Sequence, residues 1–315
     1  MHRVFAVPLA LFALTFAMPA PAKEIAITFD DLPAVSEGFP LRTVQADTRR
    51  LLETLRRHHV VATGFVNEDK LFAPGEADAR IGLLTAWLDA GMELGNHGFG
   101  HLSLQTTPLD TYEEAVIKGE TVTRRLLAAR GRAPKFYRYP FNQTGPTAAV
   151  RDAFQDFLHR HGYSVAPFTI EDDDAIFAAV YADDLKRQDR GEAAKLRAAY
   201  LSNLDRALTA YETMSQGLFG RQIPQVLLIH ANRLNADTLE ETLSRLEQRG
   251  YRFVTFDAAL QDPAYASPDG YAGGFGPSWL RRWSDGLKRK VRPLGHPDPV
   301  DWVQKRYDAL PRGAG

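Results

Sequence analysis

Short apolar runs alternate with amphipathic stretches from Ile25 to about Phe256. The runs at Ile25–Phe29, Val60–Val66, Met92–Asn96, Phe136–Tyr139, Tyr163–Ile170, Gln225–His230 and Tyr251–Phe256 read as strands. Most lack a clean in–out alternation, the pattern of strands buried on both faces. Between them, Leu41–His59, Ile81–Ala90, Asp110–Ala129, Thr147–His161, much of Ala175–Met214, and Asn235–Arg249 read as helices. The first of these carries Val44, Leu51, Leu52 and Leu55 at helical spacing among arginines. Gly91 and Gly131 punctuate helix ends, and Pro33, Pro140 and Pro167 stop or break strands.

About seven strand–helix alternations predict an α/β fold with a parallel sheet, a distorted (β/α) barrel that is closed or nearly so. The barrel is assigned to residues 23–262 as a single domain. From 263 to 315 the composition shifts toward Gly, Pro, Trp and Arg, which predicts a C-terminal extension packed on the barrel. Trp279 and Trp283, one helical turn apart, would be its anchors.

The first residues stand outside this pattern. His2 and Arg3 precede an apolar run from Val4 to Met18, and Ala20-Pro21-Ala22 fits a small-x-small cleavage site. Residues 1–22 are therefore expected to be a signal peptide cleaved after Ala22, the run being short for a membrane span. The predicted mature protein is exported, periplasmic or extracellular in a bacterium, with no stable membrane anchor. The chain contains no cysteine, so no disulfide supports it and stability rests on the core. A formal net charge of −1 gives no indication of nucleic-acid binding.

The conspicuous polar residues follow predicted strand ends: Asp30 and Asp31 after the first, His97 after the third, Arg138 at the fourth, Glu171–Asp174 after the fifth, and His230 after the sixth. In a parallel barrel these ends gather on one face, where active sites are built. Adjacent strand residues point to opposite faces, so Asp30 and Asp31 are expected to do different jobs. In His97-Gly98-Phe99-Gly100-His101 two imidazoles stand four residues apart across a glycine-rich turn. Taken alone, that spacing suits a surface or capping pair. Beside two aspartates, Asn96 and flexible glycines it suits a zinc-type donor set.

Thr28-Phe29-Asp30-Asp31-Leu32-Pro33, His97 to His101, Arg138-Tyr139-Pro140-Phe141, Asp174 after Thr169-Ile170-Glu171, and Leu228-Ile229-His230 resemble, in order, the five motifs of the polysaccharide deacetylases. This is the NodB-homology family of carbohydrate esterases. The resemblance implies that Asp31, His97 and His101 hold a divalent metal, Zn2+. It implies Asp30 as general base, His230 as general acid, Arg138 as the partner of Asp30, and Asp174 as the partner of Arg138 or His230. The Phe141 backbone N–H would stabilise the oxyanion, and Leu228 would line the acetyl-methyl pocket. Leu32, Gly98, Leu102, Asn142 and Ala175 depart from the family pattern, and none is one of these residues.

The implied activity is metal-dependent removal of acetyl groups from a carbohydrate containing N-acetylglucosamine, by a hydrolase of non-peptide amide bonds. A small non-sugar amide, an O-acetylated xylan, and a non-catalytic metal-binding envelope protein are the alternatives. Exposed aromatics along a groove would favour a polymer, and a pocket roofed by Ala175–Met214 a small substrate. His58, His59, His159 and His161 are read as helix-end residues. Arg281, Arg282, Lys288, Arg289, Lys290 and Arg292 are read as a solvated basic face, Asp172 and Asp173 as a solvated loop or sugar-hydroxyl ligands, and Asn235 as a helix cap.

Overall fold

In a computed structural model describing residues 23–311, strand β1 (Lys23–Leu32) is the hub of a seven-stranded sheet. From Ile25 to Asp30 it pairs in parallel with β6 (Gln225–His230). Its later residues pair with β2 (Thr63–Val66), and its first three with β7 (Tyr251–Phe253). Covered on both faces, it is buried from Ile25 through Asp30. Beyond β2 the sheet continues through β3 (Glu93–Asn96), β4 (Phe136–Tyr137) and β5 (Ser164–Val165), all parallel. The chain leaving β5 then returns to the opposite edge. Ile170 N donates to Val226 O at 3.0 Å, and Leu228 N to Ile170 O at 2.9 Å. One run, residues 164–170, thus touches both edges and curls the sheet into the predicted distorted barrel.

Helices α1 (Leu41–Arg57), α2 (Ala77–Asp89), α5 (Ala148–Arg160, capped by Thr147) and α8 (Arg233–Gln248) lie near their predicted positions. The Ala175–Met214 stretch becomes α6 (Asp174–Lys186) and α7 (Arg190–Phe219). These pack through Phe177, Tyr181, Leu196 and Tyr200 onto Leu234 and Val303, a side layer of the barrel. The single helix predicted over Asp110–Ala129 is two, α3 (Leu109–Lys118) and α4 (Thr121–Ala128). The break falls at Gly119, where a Cβ would lie 2.7 Å from the Gly98 carbonyl carbon and 2.8 Å from Phe99 N. The loop after β3 crosses the helix here, and Phe99 N donates to Ala115 O at 3.0 Å.

Three further sequence expectations are corrected. Asn232, not Asn235, caps α8: its side chain accepts from Asn235 N at 2.8 Å. Asp172 is buried rather than solvated, and Asp173 pairs with His296 Nε2 at 2.6 Å. Arg282 does not belong to a solvated face; it is fully buried among the tail's own residues and the turn at Asn142–Thr144. It lies on the helix Trp279–Gly286, whose Trp279 packs edge-on against Phe168 at 5.5 Å. The predicted leader and its cleavage site lie outside the described residues. Among those described, no helix is long and apolar enough to cross a membrane.

Candidate metal and catalytic site

The strand-end residues singled out above meet at one face of the barrel, starting from an irregularity in β1. Its register with β2 slips between Phe29 and Leu32, and Asp31 adopts φ +66°. A bulge re-aims a side chain that regular pleating would send to the other face. Both carboxylates therefore reach one imidazole. His97 Nε2 lies 3.9 Å from Asp30 Oδ2 and 4.0 Å from Asp31 Oδ1. The strict alternation expected at Asp30–Asp31 is broken by this irregularity.

His101, at φ +47°, brings its Nε2 to 3.6 Å from the same Asp31 oxygen. Asp31, His97 and His101 each offer one ligand atom, all within 4.8 Å of one another. The loop that presents the two histidines is tied down at both ends. Asn96 Nδ2 donates to Val116 O at 2.9 Å, and Gly98 N donates to the Asn96 side-chain oxygen at 2.7 Å. His97 Nδ1 donates to Arg138 O at 2.8 Å, which leaves Nε2 as a lone-pair donor. Asp31 Oδ1 is buried and accepts no hydrogen bond of acceptable geometry, although Lys70 Nζ lies 3.2 Å away. An orphaned carboxylate oxygen facing two free imidazole nitrogens fits a divalent cation.

Electrostatics agree with this reading. Burial lowers both histidines to about 4, so they are neutral ligands at pH 7. For Asp31 burial acts upward, but Lys70, His101 and His97 outweigh it and hold the carboxyl well below its usual range.

Two ion pairs flank this donor set. Asp30, buried at the end of β1, receives Arg138 Nη1 at 3.3 Å and 3.5 Å on its two oxygens. The guanidinium is fully buried, lies 4.4 Å over the Phe65 ring, and also donates to Thr28 Oγ1 and Pro167 O. Burial raises the Asp30 pKa, with Arg138 opposing, so its carboxylate is a stronger base than an exposed one. Asp30 and His230 are register partners on neighbouring strands.

His230 Nδ1 donates to Asp174 Oδ1 at 2.8 Å, while Asp174 Oδ2 accepts from His230 N, Asn232 Nδ2 and Asn235 Nδ2 at 2.9, 2.9 and 2.6 Å. Of the two partners open to Asp174, the structure selects His230. Burial would lower His230, but Asp174, Asp31 and Asp30 raise it to about 10, so it is protonated at pH 7 with Nε2 left for the cleft.

Phe141 joins the cluster through its ring, 4.4 Å from that of His101, in a left-handed conformation at φ +55°. Leu228 shares the face of His230 on β6 by period two and is buried. Lys70 was missed by sequence reasoning, which read Asn235 as a helix cap and did not foresee that Asn232 and Asn235 both donate to Asp174. Lys70 lies in a short 3₁₀ turn, Glu68–Phe72, directly after β2. The strand-end rule that found the histidines would have found it too. Beside Lys70 opens a cleft of about 880 Å³ lined by Ser36, Glu37, Phe72 and Lys186.

Comparison with known proteins gives the following likenesses. Residues 17–166 match the family model described as polysaccharide deacetylase. The chain is 23% identical over 256 residues to a peptidoglycan-N-acetylglucosamine deacetylase of Bacillus cereus, covering 79% of this chain and 73% of that protein. It is 23% identical over 236 residues to the peptidoglycan-N-acetylglucosamine deacetylase PgdA of Listeria monocytogenes, covering 75% of this chain but only 38% of that protein. Among solved structures, the Bc1960 peptidoglycan N-acetylglucosamine deacetylase, crystallised with a hydroxamate-type ligand, shares the fold. Its TM-score is 0.51 at 21% identity, covering 77% of this chain and 90% of that one.

Proposed function

We propose that this chain, whose residues 17–166 match the polysaccharide deacetylase family model, is a metal-dependent hydrolase removing acetyl groups from a carbohydrate containing N-acetylglucosamine. The observation that carries this reading is the meeting of three elements in one cleft. A donor set of the Asp31 carboxylate and the neutral His97 and His101 stands beside a basic Asp30–Arg138 pair and an acidic His230–Asp174 pair.

In this reading Asp31, His97 and His101 hold a divalent ion, zinc by the chemistry of the donors. When bound, such an ion lowers the pKa of a water and polarises a carbonyl. Asp30 takes the proton from the attacking water, and Arg138 holds that carboxylate toward the cleft. The Phe141 N–H donates to the oxygen that gains charge. His230, kept protonated by Asp174, delivers a proton to the departing amine nitrogen, which leaves poorly without one. Leu228 borders the space for the acetyl methyl.

A polymer is favoured over a small amide because Phe141 is 54% and Phe72 53% exposed near the site, while α6 and α7 form a side layer instead of a roof. Residues 23–262 form the catalytic domain and 263–315 its extension in this proposal. Export rests on the leader-like start and on relatives named for peptidoglycan. The test is acetate release from chitooligosaccharides, peptidoglycan fragments, acetylxylan and an aryl acetate, each with and without chelator. Metal-dependent acetate from an N-acetylglucosamine glycan is expected. Activity confined to acetylxylan or the aryl acetate would replace the substrate class, and metal binding without acetate from any of them would leave a binding protein.

A further inference from the structure

The turn that carries Phe141 is strained. Phe141 and Asn142 are consecutive non-glycine residues at φ +55° and +54°, a conformation that L-residues avoid unless their surroundings hold them. What holds them is a segment more than a hundred residues away in sequence. Arg282 Nη2 donates to Asn142 O at 2.7 Å, and Nη1 to Thr144 Oγ1 at 2.9 Å. The guanidinium is fixed in turn by Asp269 at 3.3 Å and Pro277 O at 3.1 Å, and lies 4.5 Å over the Trp279 ring.

Gly276 packs so closely that a Cβ would fall 2.1 Å from Phe141 O. Just before it, Gly274 O accepts from Gln143 Nε2 at 2.9 Å and Gly273 O from Gln105 Nε2 at 2.7 Å. Residues 269–282 are thus bonded to the loops on both sides of the proposed oxyanion donor, after His101 and after Phe141. Phe275 stands in the middle of this segment with 80% of its surface exposed. A large aromatic with nothing packed over it, one residue from the backbone contact with Phe141, offers a flat apolar face to a sugar ring.

We propose that residues 269–282 of the extension form one wall of the substrate cleft. Arg282 is a positioning residue for the Phe141–Asn142 turn, and Phe275 stacks on a sugar ring beyond the one being deacetylated, so the substrate is an oligomer or polymer. This rests on the deacetylase reading above.

The test compares Arg282→Met, Arg282→Lys, Gly276→Ala and Phe275→Ala in the full chain. Readouts are zinc content, melting temperature, and kcat and KM on N-acetylglucosamine oligomers of increasing length. Arg282→Met is expected to lower kcat about 100-fold, the effect of misplacing a reacting group by about 1 Å, with zinc content unchanged and partial recovery in Arg282→Lys. Should Arg282→Met fail to fold, Gly276→Ala decides, since its Cβ displaces the Phe141 carbonyl of the same turn without removing a buried charge. Phe275→Ala is expected to raise KM about tenfold more for a tetramer than for a dimer.

Unaltered kcat in Gly276→Ala and in every folded Arg282 variant, or a KM shift in Phe275→Ala independent of length, overturns the inference alone. No acetate from the wild type on any glycan overturns the deacetylase reading and this inference with it.

Discussion

The cleft contains the same chemical group in two opposite states. His97 and His101, from the loop after β3, are pushed down to about 4, whereas His230, at the end of β6, is pushed up to about 10. Burial acts on all three in the same direction and does not distinguish them. What differs is what the ring nitrogens meet. His97 gives its Nδ1 proton to a backbone carbonyl, a neutral acceptor. His230 gives its own to Asp174, an anion fixed by Asn232 and Asn235 at the start of α6. A neutral imidazole can ligate a metal, and a charged one can donate a proton. In the proposed function, partner choice divides the cleft into a metal side and an acid side.

The largest expected effect comes from breaking the metal side. Asp31→Asn should reduce bound metal from near stoichiometric to near zero by elemental analysis. Acetate release should fall about 10³-fold or more, the several kcal/mol a bound Lewis acid supplies. Retained metal in this variant would sink the ligand assignment.

Next is the acid side. His230→Gln should lower kcat by roughly 10² to 10⁴, the usual worth of a general acid, with metal content unaffected. Loss of metal together with activity would instead put His230 among the ligands.

A smaller and sharper effect is expected from Asp174→Asn. Without the anion, the His230 pKa should fall toward the ordinary imidazole value, so the alkaline limb of the kcat profile moves to lower pH. The kcat at neutral pH should drop roughly 10- to 100-fold, as for loss of a hydrogen-bonded partner behind a reacting group. An unmoved alkaline limb would separate Asp174 from the acid.

The two sides also give opposite linkages in the metal-free protein. His230 has a folded pKa raised from 6.5 to about 10, so its stabilising contribution is complete below about pH 6.5 and is lost as pH rises through about 10. His97 and His101 have folded pKa values lowered to about 4. Their neutral forms favour the fold above about pH 6.5, and that advantage is lost as pH falls through about 4. Urea midpoints of chelated protein should therefore fall at both ends, and His230→Gln should remove only the alkaline loss.

The smallest effect is expected from Asn232→Ala, which removes the α8 cap. It should cost about 1 kcal/mol and lower the melting temperature by roughly 2 °C. Because Asn232 also donates to Asp174, the alkaline limb should shift in the same direction as in Asp174→Asn, by less.

Much of this was legible in the chain. Apolar runs alternating with amphipathic stretches determined the parallel α/β barrel, since strands buried on both faces require helices around them. The gathering of Asp30, Asp31, His97, Arg138, Asp174 and His230 followed from their places after strand ends, because parallel strands deliver their C-terminal ends to one face. Tertiary contacts decided what periodicity does not encode. The bulge at Asp31, which brings both carboxylates to His97, depends on the β2 register. The break of the Asp110–Ala129 pattern depends on the Gly98–Phe99 backbone lying against Gly119. The choice of His230 as the partner of Asp174 depends on where α6 starts relative to β6. The buried place of Arg282 depends on a strained turn far away in sequence that has carbonyls to satisfy. Local pattern sets which face of an element is buried; the partners of a polar atom on that face are set only when distant segments meet, because a hydrogen bond is short and directional and hydrophobic burial is neither.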